Sequence, residues 1–164
     1  MRNALEADYV LHREATVSCP LEKVFDFFSK AENLETLTPP WLRFRIETLQ
    51  PIQMRQGATI AYRLHVRGVP LRWLTEIELW RPPYEFVDVQ VKGPYKLWRH
   101  IHRFQESKDG TRIVDVVNYT LFRAVRRAHR GGRGLDFSAG ANGIVRSRQG
   151  DYGPAHRGTP RHCL

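Results

Sequence analysis

From residue 41 to residue 121 the chain repeats one pattern: apolar residues at every second position, interrupted at short intervals by glycine and proline. Leu42, Phe44 and Ile46 alternate with Arg43, Arg45 and Glu47. Ile60, Tyr62, Leu64 and Val66 alternate with Thr59, Ala61, Arg63, His65 and Arg67, and Leu71, Trp73, Thr75, Ile77 and Leu79 with Arg72, Glu76 and Glu78. A period of two puts one set of side chains on a buried face and the other in water. That suits antiparallel strands and does not suit helices. Turn signals fall at Arg67-Gly68-Val69-Pro70, Arg81-Pro82-Pro83, Lys92-Gly93-Pro94 and Lys108-Asp109-Gly110. They leave strands over about 84–91, 95–105 and 111–121.

Upstream, residues 8–17 read as one more strand, with Tyr9, Leu11, Ala15 and Val17 on one side. Ser18-Cys19-Pro20-Leu21-Glu22 reads as a helix start, with proline at the first helical position. Leu21, Val24, Phe25 and Phe28 then recur as one apolar helical face. A second short helix over 31–37 should stop at Thr38-Pro39-Pro40, because proline disfavours helix in the residue before it. The order is one strand, two short helices and six strands. An α+β fold is expected, a seven-stranded curved antiparallel sheet with helices on one face.

The turns set which residues share a face. If Asp109-Gly110 is a two-residue hairpin turn, Phe104 lies opposite Asp115, His102 opposite Val117 and His100 opposite Tyr119. Trp98, His100, His102 and Phe104 then share a face with Asp115, Val117 and Tyr119, while Arg99, Arg103 and Arg112 point to solvent. A tight turn at Gly93-Pro94 would add Val87, Val89 and Val91 to the inner face and send Asp88 and Gln90 outward. One extra residue in either turn reverses a whole strand. The inner face is thus expected to be an apolar trough holding His100, His102, Asp115 and Thr75, the pattern of a small-molecule pocket. The plainer alternative is a core whose histidines bond Tyr119 or Asp115 and do nothing else.

Several motifs in succession carry a resemblance. They are Pro20-Leu21-Glu22-Lys23-Val24-Phe25, Asn33-Leu34, Leu37-Thr38-Pro39-Pro40-Trp41, Gly93-Pro94, Trp98-Arg99-His100-Ile101-His102-Arg103-Phe104, and Gly110-Thr111 with Asp115-Val116-Val117-Asn118-Tyr119. Over about residues 8–122 the chain resembles the SRPBCC superfamily, the START and birch-pollen-allergen-like group. It is similar to the small bacterial stand-alone ligand-binding, polyketide cyclase/dehydrase-type and coenzyme Q-binding-type members. The resemblance implies a helix-grip fold, in which the sheet wraps a long C-terminal helix around a hydrophobic cavity. It also implies a lipid-like or polycyclic ligand, but no single activity.

The end of the chain departs from that pattern. Residues 123–164 hold nine arginines against two aspartates, which is seven of the net nine positive charges, and eight of the twelve glycines. A helix is expected only over about 124–130, ended by Gly131-Gly132 and too short to cover the sheet. The C-terminal helix therefore reads as truncated or disrupted. Residues 1–122 form a helix-grip ligand-binding domain lacking it, followed by an Arg/Gly-rich tail, either disordered or the product of a frameshift. An open sheet face would invite a second copy of the chain as partner.

Other classes find less support. No apolar run is long enough to span a bilayer, and Arg2, Glu6, Asp8, Arg13 and Glu14 leave no apolar core for a secretory signal, so a cytoplasmic location is expected. Cys19 and Cys163 show neither zinc-ligand spacing nor a disulfide framework, and two free thiols are expected. No metal and no cofactor are expected, since His100, His102 and Asp115 lack a further ligand at diagnostic spacing. The expected function is carriage or sensing of a hydrophobic small molecule such as a lipid, quinone or polyketide-like compound, without catalysis. Tyr62, Trp73, Trp98, His100, His102, Val117 and Tyr119 would line its cavity. The alternative is a cyclase/dehydrase-like enzyme with His100 or His102 as base and Tyr119 as donor. A further alternative is non-specific binding of nucleic acid or an anionic surface by the tail, though nucleic acid is not the expected partner.

Overall fold

A computed structural model describes residues 7–34, 38, 40–66 and 68–122. Seven strands form one antiparallel sheet: β1 (Tyr9–Val17), β2 (Arg45–Ile46), β3 (Thr59–Val66), β4 (Val69–Arg81), β5 (Glu85–Lys92), β6 (Tyr95–Ser107) and β7 (Gly110–Leu121). Their spatial order is β1-β7-β6-β5-β4-β3-β2, so every strand after β1 pairs with its neighbour in sequence and β7 returns to pair with β1. This is the helix-grip arrangement of strands.

The helix α1 (Leu21–Ser29) buries Leu21, Val24, Phe25 and Phe28. They meet Phe86, Phe104 and Ile113 of the sheet in an apolar cluster at one end of the trough. Pro20 is the N-cap, one position earlier than expected, and its carbonyl accepts the Val24 N–H. Part of the expected second helix over 31–37 lies outside the described residues; within the described part, the Asn33 and Leu34 N–H groups donate to the Lys30 and Ala31 carbonyls. The expected strand around Phe44 shrinks to two residues, because Pro40–Leu42 forms a 3-10 turn first. The tail 123–164, where a truncated C-terminal helix is expected, also lies outside the described residues.

Register corrects two expectations. In the β6–β7 hairpin Ser107 pairs with Gly110, so the turn is Lys108-Asp109 and each pair slips by two: His102 faces Asp115, His100 faces Val117 and Trp98 faces Tyr119. A slip of two preserves the face, and the inner set survives. Between β5 and β6, Asp88 pairs with His100 and Phe86 with His102, a slip of one. That brings Asp88 and Phe86 to the inner face in place of Val87 and Val89. The extra residue is absorbed near the turn, where the Gln90 side chain donates to the Tyr95 carbonyl at 2.6 Å and accepts from its N–H at 3.2 Å. One side chain thus stands in for a rung of the ladder. On the outer face Arg99, Arg103 and Arg112 bond Glu78, Glu85 and Glu14, as a solvated surface should.

Gly110 opens β7 at φ +124°, and a Cβ there would run into the Val17 carbonyl oxygen and lie 2.8 Å from the Cys19 nitrogen. Gly110→Ala is therefore expected to cost about 2 kcal/mol or more, read as a lowered denaturant midpoint with an unchanged slope. Two cysteine and aromatic expectations also change. Cys19 is disulfide-bonded, and its partner lies outside the described residues, so the free-thiol expectation is corrected. Trp41, whose large aromatic ring alone would suggest a core position, is 57% exposed.

Candidate functional site

Two apolar clusters occupy the inner face, and a polar group lies between them. Around α1 is the phenylalanine cluster just described. At the other end Leu42, Leu64, Trp73, Tyr95, Trp98, Val117, Tyr119 and Leu121 form a second core. His100 and His102, two residues apart on β6, point inward between the clusters, flanked by Asp88 on β5 and Asp115 on β7. The side chains of His100, His102 and Asp115 are almost fully buried, and that of Asp88 is 16% exposed. Aromatic rings hold the imidazoles in place: Phe86 stacks on His102 at 4.2 Å and Trp98 meets His100 edge-on at 6.3 Å.

The four polar side chains form a closed ring. His100 Nε2 lies 3.2 Å from Asp115 Oδ1, and His102 Nε2 lies 3.0 Å from Asp88 Oδ2. His102 Nδ1 is 2.8 Å from Asp115 Oδ1, but its N–H is poorly aligned with that oxygen, so the contact is a short ion pair and not a well-formed hydrogen bond. His100 Nδ1 completes the ring 3.8 Å from Asp88 Oδ2. Burial, with the neighbouring His102, pushes the His100 pKa down to about 4. Burial also opposes charge on His102, but the Asp115 and Asp88 carboxylates against its two ring nitrogens outweigh it and raise its pKa. Burial likewise opposes charge on Asp115; its bonds to both imidazoles prevail and hold it well below the usual carboxylate range. The two imidazoles, tilted against each other with centroids 3.7 Å apart, are thus pushed in opposite directions: burial and its neighbour disfavour charge on His100, and the carboxylates favour it on His102.

Two small pockets open beside this ring. The first, about 40 Å³, is lined by Tyr62, Thr75, Ile77, Phe86, Asp88 and His102, together with residues of α1 and the segment after it. The second, about 30 Å³, has Tyr62, Leu64, Trp73, Asp88, Trp98 and His100 among its walls. Asp88 and Tyr62 belong to both, and the Tyr62 hydroxyl lies 3.2 Å from Thr75 Oγ1. Each space holds a few waters at most. A larger ligand enters only as wall side chains move, and Leu34, Phe44 and Met54 are only half-buried. The Trp73 indole N–H, buried in the wall of the second pocket, finds no acceptor among the described residues.

Of the seven residues expected to line a ligand cavity, the structure places Tyr62, Trp73, Trp98, His100 and His102 in the walls of these two small pockets. Val117 and Tyr119 pack in the adjoining core, with Tyr119 stacked on Tyr9 at 5.1 Å, and face neither pocket. Asp88 was missed. Its signal, a lone carboxylate within the apolar run Phe86-Val87-Asp88-Val89, is visible in the sequence but needs the correct register to be read.

No helix among the described residues is long and apolar enough to cross a membrane. Residues 17–129 match the family model described as polyketide cyclase / dehydrase and lipid transport. The fold is similar to that of protein CV1439 from Chromobacterium violaceum, with a TM-score of 0.62 and 11% identity over 88% of this chain and 98% of that one. It is also similar to protein Ms6760 from Mycobacterium smegmatis, at TM-score 0.61 and 18% identity over 87% and 90%. The major latex-like protein 151 from Panax ginseng aligns at TM-score 0.59 and 10% identity over 89% and 98%. No curated protein matches the chain. The strand order, the trough and the matched residues together place this chain in the polyketide cyclase / dehydrase and lipid transport family of the SRPBCC superfamily.

Proposed function

We infer that the protein binds a hydrophobic small molecule bearing a carbonyl-type oxygen, of the lipid, quinone or polyketide-like kind, in the trough beside Asp88. The observation that carries this reading is the Trp73 indole. A buried tryptophan N–H normally finds an acceptor, and this one, on a residue in the wall of an aromatic-lined pocket, has none among the described residues. A ligand oxygen meets that need, while Leu64, Trp98 and Tyr62 take up its apolar body.

Native mass spectrometry of the full chain, followed by organic extraction, would identify a co-purifying compound. Titration with a naphthoquinone, followed by tryptophan emission, gives an affinity. Trp73→Phe keeps the ring packing and removes the donor, so quinone affinity should fall about 3- to 10-fold, while a hydrocarbon of the same shape binds unchanged. Absence of any bound compound together with no saturable quenching would overturn the reading.

A second reading has one observation in its favour. The Asp88–His102 pair, 3.0 Å apart, sits in the wall of the first pocket, where it could move a proton to or from a carbonyl substrate. Turnover of a polyketide-like substrate that disappears in His102→Gln, with quinone binding retained, would favour this enzyme reading over carriage.

A further inference from the structure

The geometry points to a divalent transition-metal site formed by Asp88, His100 and His102, with Asp115 orienting both imidazoles from behind. The three donors stand on one face of two adjacent strands, since His100 and His102 are two apart on β6 and Asp88 is the cross-strand neighbour of His100. One ligand atom from each lies within 4.8 Å of the others. His102 Nε2 is 3.0 Å and His100 Nδ1 3.8 Å from Asp88 Oδ2. Donors that share a first-row cation at about 2.0–2.2 Å stand roughly 3–3.5 Å apart. Movements of about 1 Å, no more than a side-chain adjustment, would close this set around an ion.

Asp115 is the independent observation. Its Oδ1 lies 3.2 Å from His100 Nε2 and 2.8 Å from His102 Nδ1, the ring nitrogens that face away from Asp88. With an ion bound, an N–H from each ring turned to this carboxylate would leave His100 Nδ1 and His102 Nε2 as lone-pair donors. Metal-bound histidines characteristically give their other N–H to such a carboxylate. Access agrees with the assignment: Asp88 and His102 line one pocket, Asp88 and His100 line the other, and Asp115 lines neither.

Two imidazoles and one carboxylate suit zinc or iron(II), cobalt(II) and manganese(II) in preference to magnesium or calcium. Any proton on a donor nitrogen is displaced to solvent when the cation binds. The remaining coordination positions face the two pockets and would take an oxygen of a bound carbonyl or enol compound. The site stands whether or not the ligand reading above is correct, because it can be tested without any organic ligand.

The test uses the full chain, stripped with a chelator and titrated by calorimetry with zinc chloride and cobalt chloride. One equivalent should bind saturably with micromolar or tighter affinity. Asp88→Asn should weaken binding at least tenfold, and Asp115→Asn by 10- to 100-fold. Both substitutions keep side-chain shape, and circular dichroism reports whether the sheet persists. On the unmodified protein, bound cobalt should quench tryptophan emission, because the Trp98 ring lies 6.3 Å from that of His100. Absence of saturable uptake, uptake without quenching, or uptake unchanged in folded Asp88→Asn would overturn the proposal. The last result would place the ions on histidines elsewhere in the chain.

Discussion

Phe104→Ala should lower the free energy of unfolding by about 3–5 kcal/mol, and the melting temperature by on the order of 10–20 °C for a chain of this size. Phe104 is fully buried, and its ring is the hub on which α1 seats the sheet. Phe25, Phe28 and Phe86 surround it at centroid distances of 5.5, 5.6 and 6.0 Å. Truncation removes the ring's own burial and also its edge-to-face contacts, and the cavity left behind has rigid β-strands on one side, so it collapses poorly. Phe104→Leu, which keeps most of the volume, should lose much less. Equilibrium denaturation of the two variants beside the parent chain measures the difference. A loss under about 1 kcal/mol for the alanine variant would mean that α1 is not seated there. The loss should also reach the polar ring, because Phe86 touches both Phe104 and His102.

The sheet was legible because alternation survives errors of two. The β6–β7 turn begins one residue earlier than the Asp109-Gly110 signal suggests, which shifts every pair by two and returns His100, His102, Asp115 and Phe104 to the expected face. Asp88 was not legible for the opposite reason. Gln90 satisfies the Tyr95 backbone with its side chain, one residue is taken up beyond the Val89–Arg99 pair, and the parity of β5 reverses. No local propensity announces that a glutamine amide will replace a ladder rung. The histidines could therefore be seen as a pair, but not as part of a four-membered ring, and the ring is what gives the site its charge and donor set. Trp41 shows a different failure. It lies in the 3-10 turn Pro40–Leu42, ahead of the strand, and that turn buries Leu42 and leaves the indole exposed. Val117 and Tyr119 face inward as read, but packing against Trp98, Tyr95 and Tyr9 uses them up before they reach a pocket. A face can be read from period; which part of that face stays unfilled depends on volumes that no pattern encodes.

The ring's cost to the fold can be measured at Asp115. Asp115→Ala should destabilise the protein by about 3–5 kcal/mol, because it strips the shared acceptor from two imidazoles that have almost no access to water. Asp115→Asn keeps the shape and an acceptor oxygen but loses the charge that supports His102, so its loss should be smaller, about 1–3 kcal/mol. The informative variant removes the three almost fully buried members together and leaves Asp88, which is 16% exposed. His100→Leu, His102→Met and Asp115→Leu combined replace buried polar groups by apolar ones of similar volume, and such replacements are often neutral or stabilising. If the triple variant is at least as stable as the parent chain, the three buried groups contribute little net stability, and their burial among phenylalanines and tryptophans then has to be explained by what they bind or protonate. If the triple variant is instead the less stable, the ring is a structural device, and the binding role argued for Asp88, His100 and His102 loses its main physical motive.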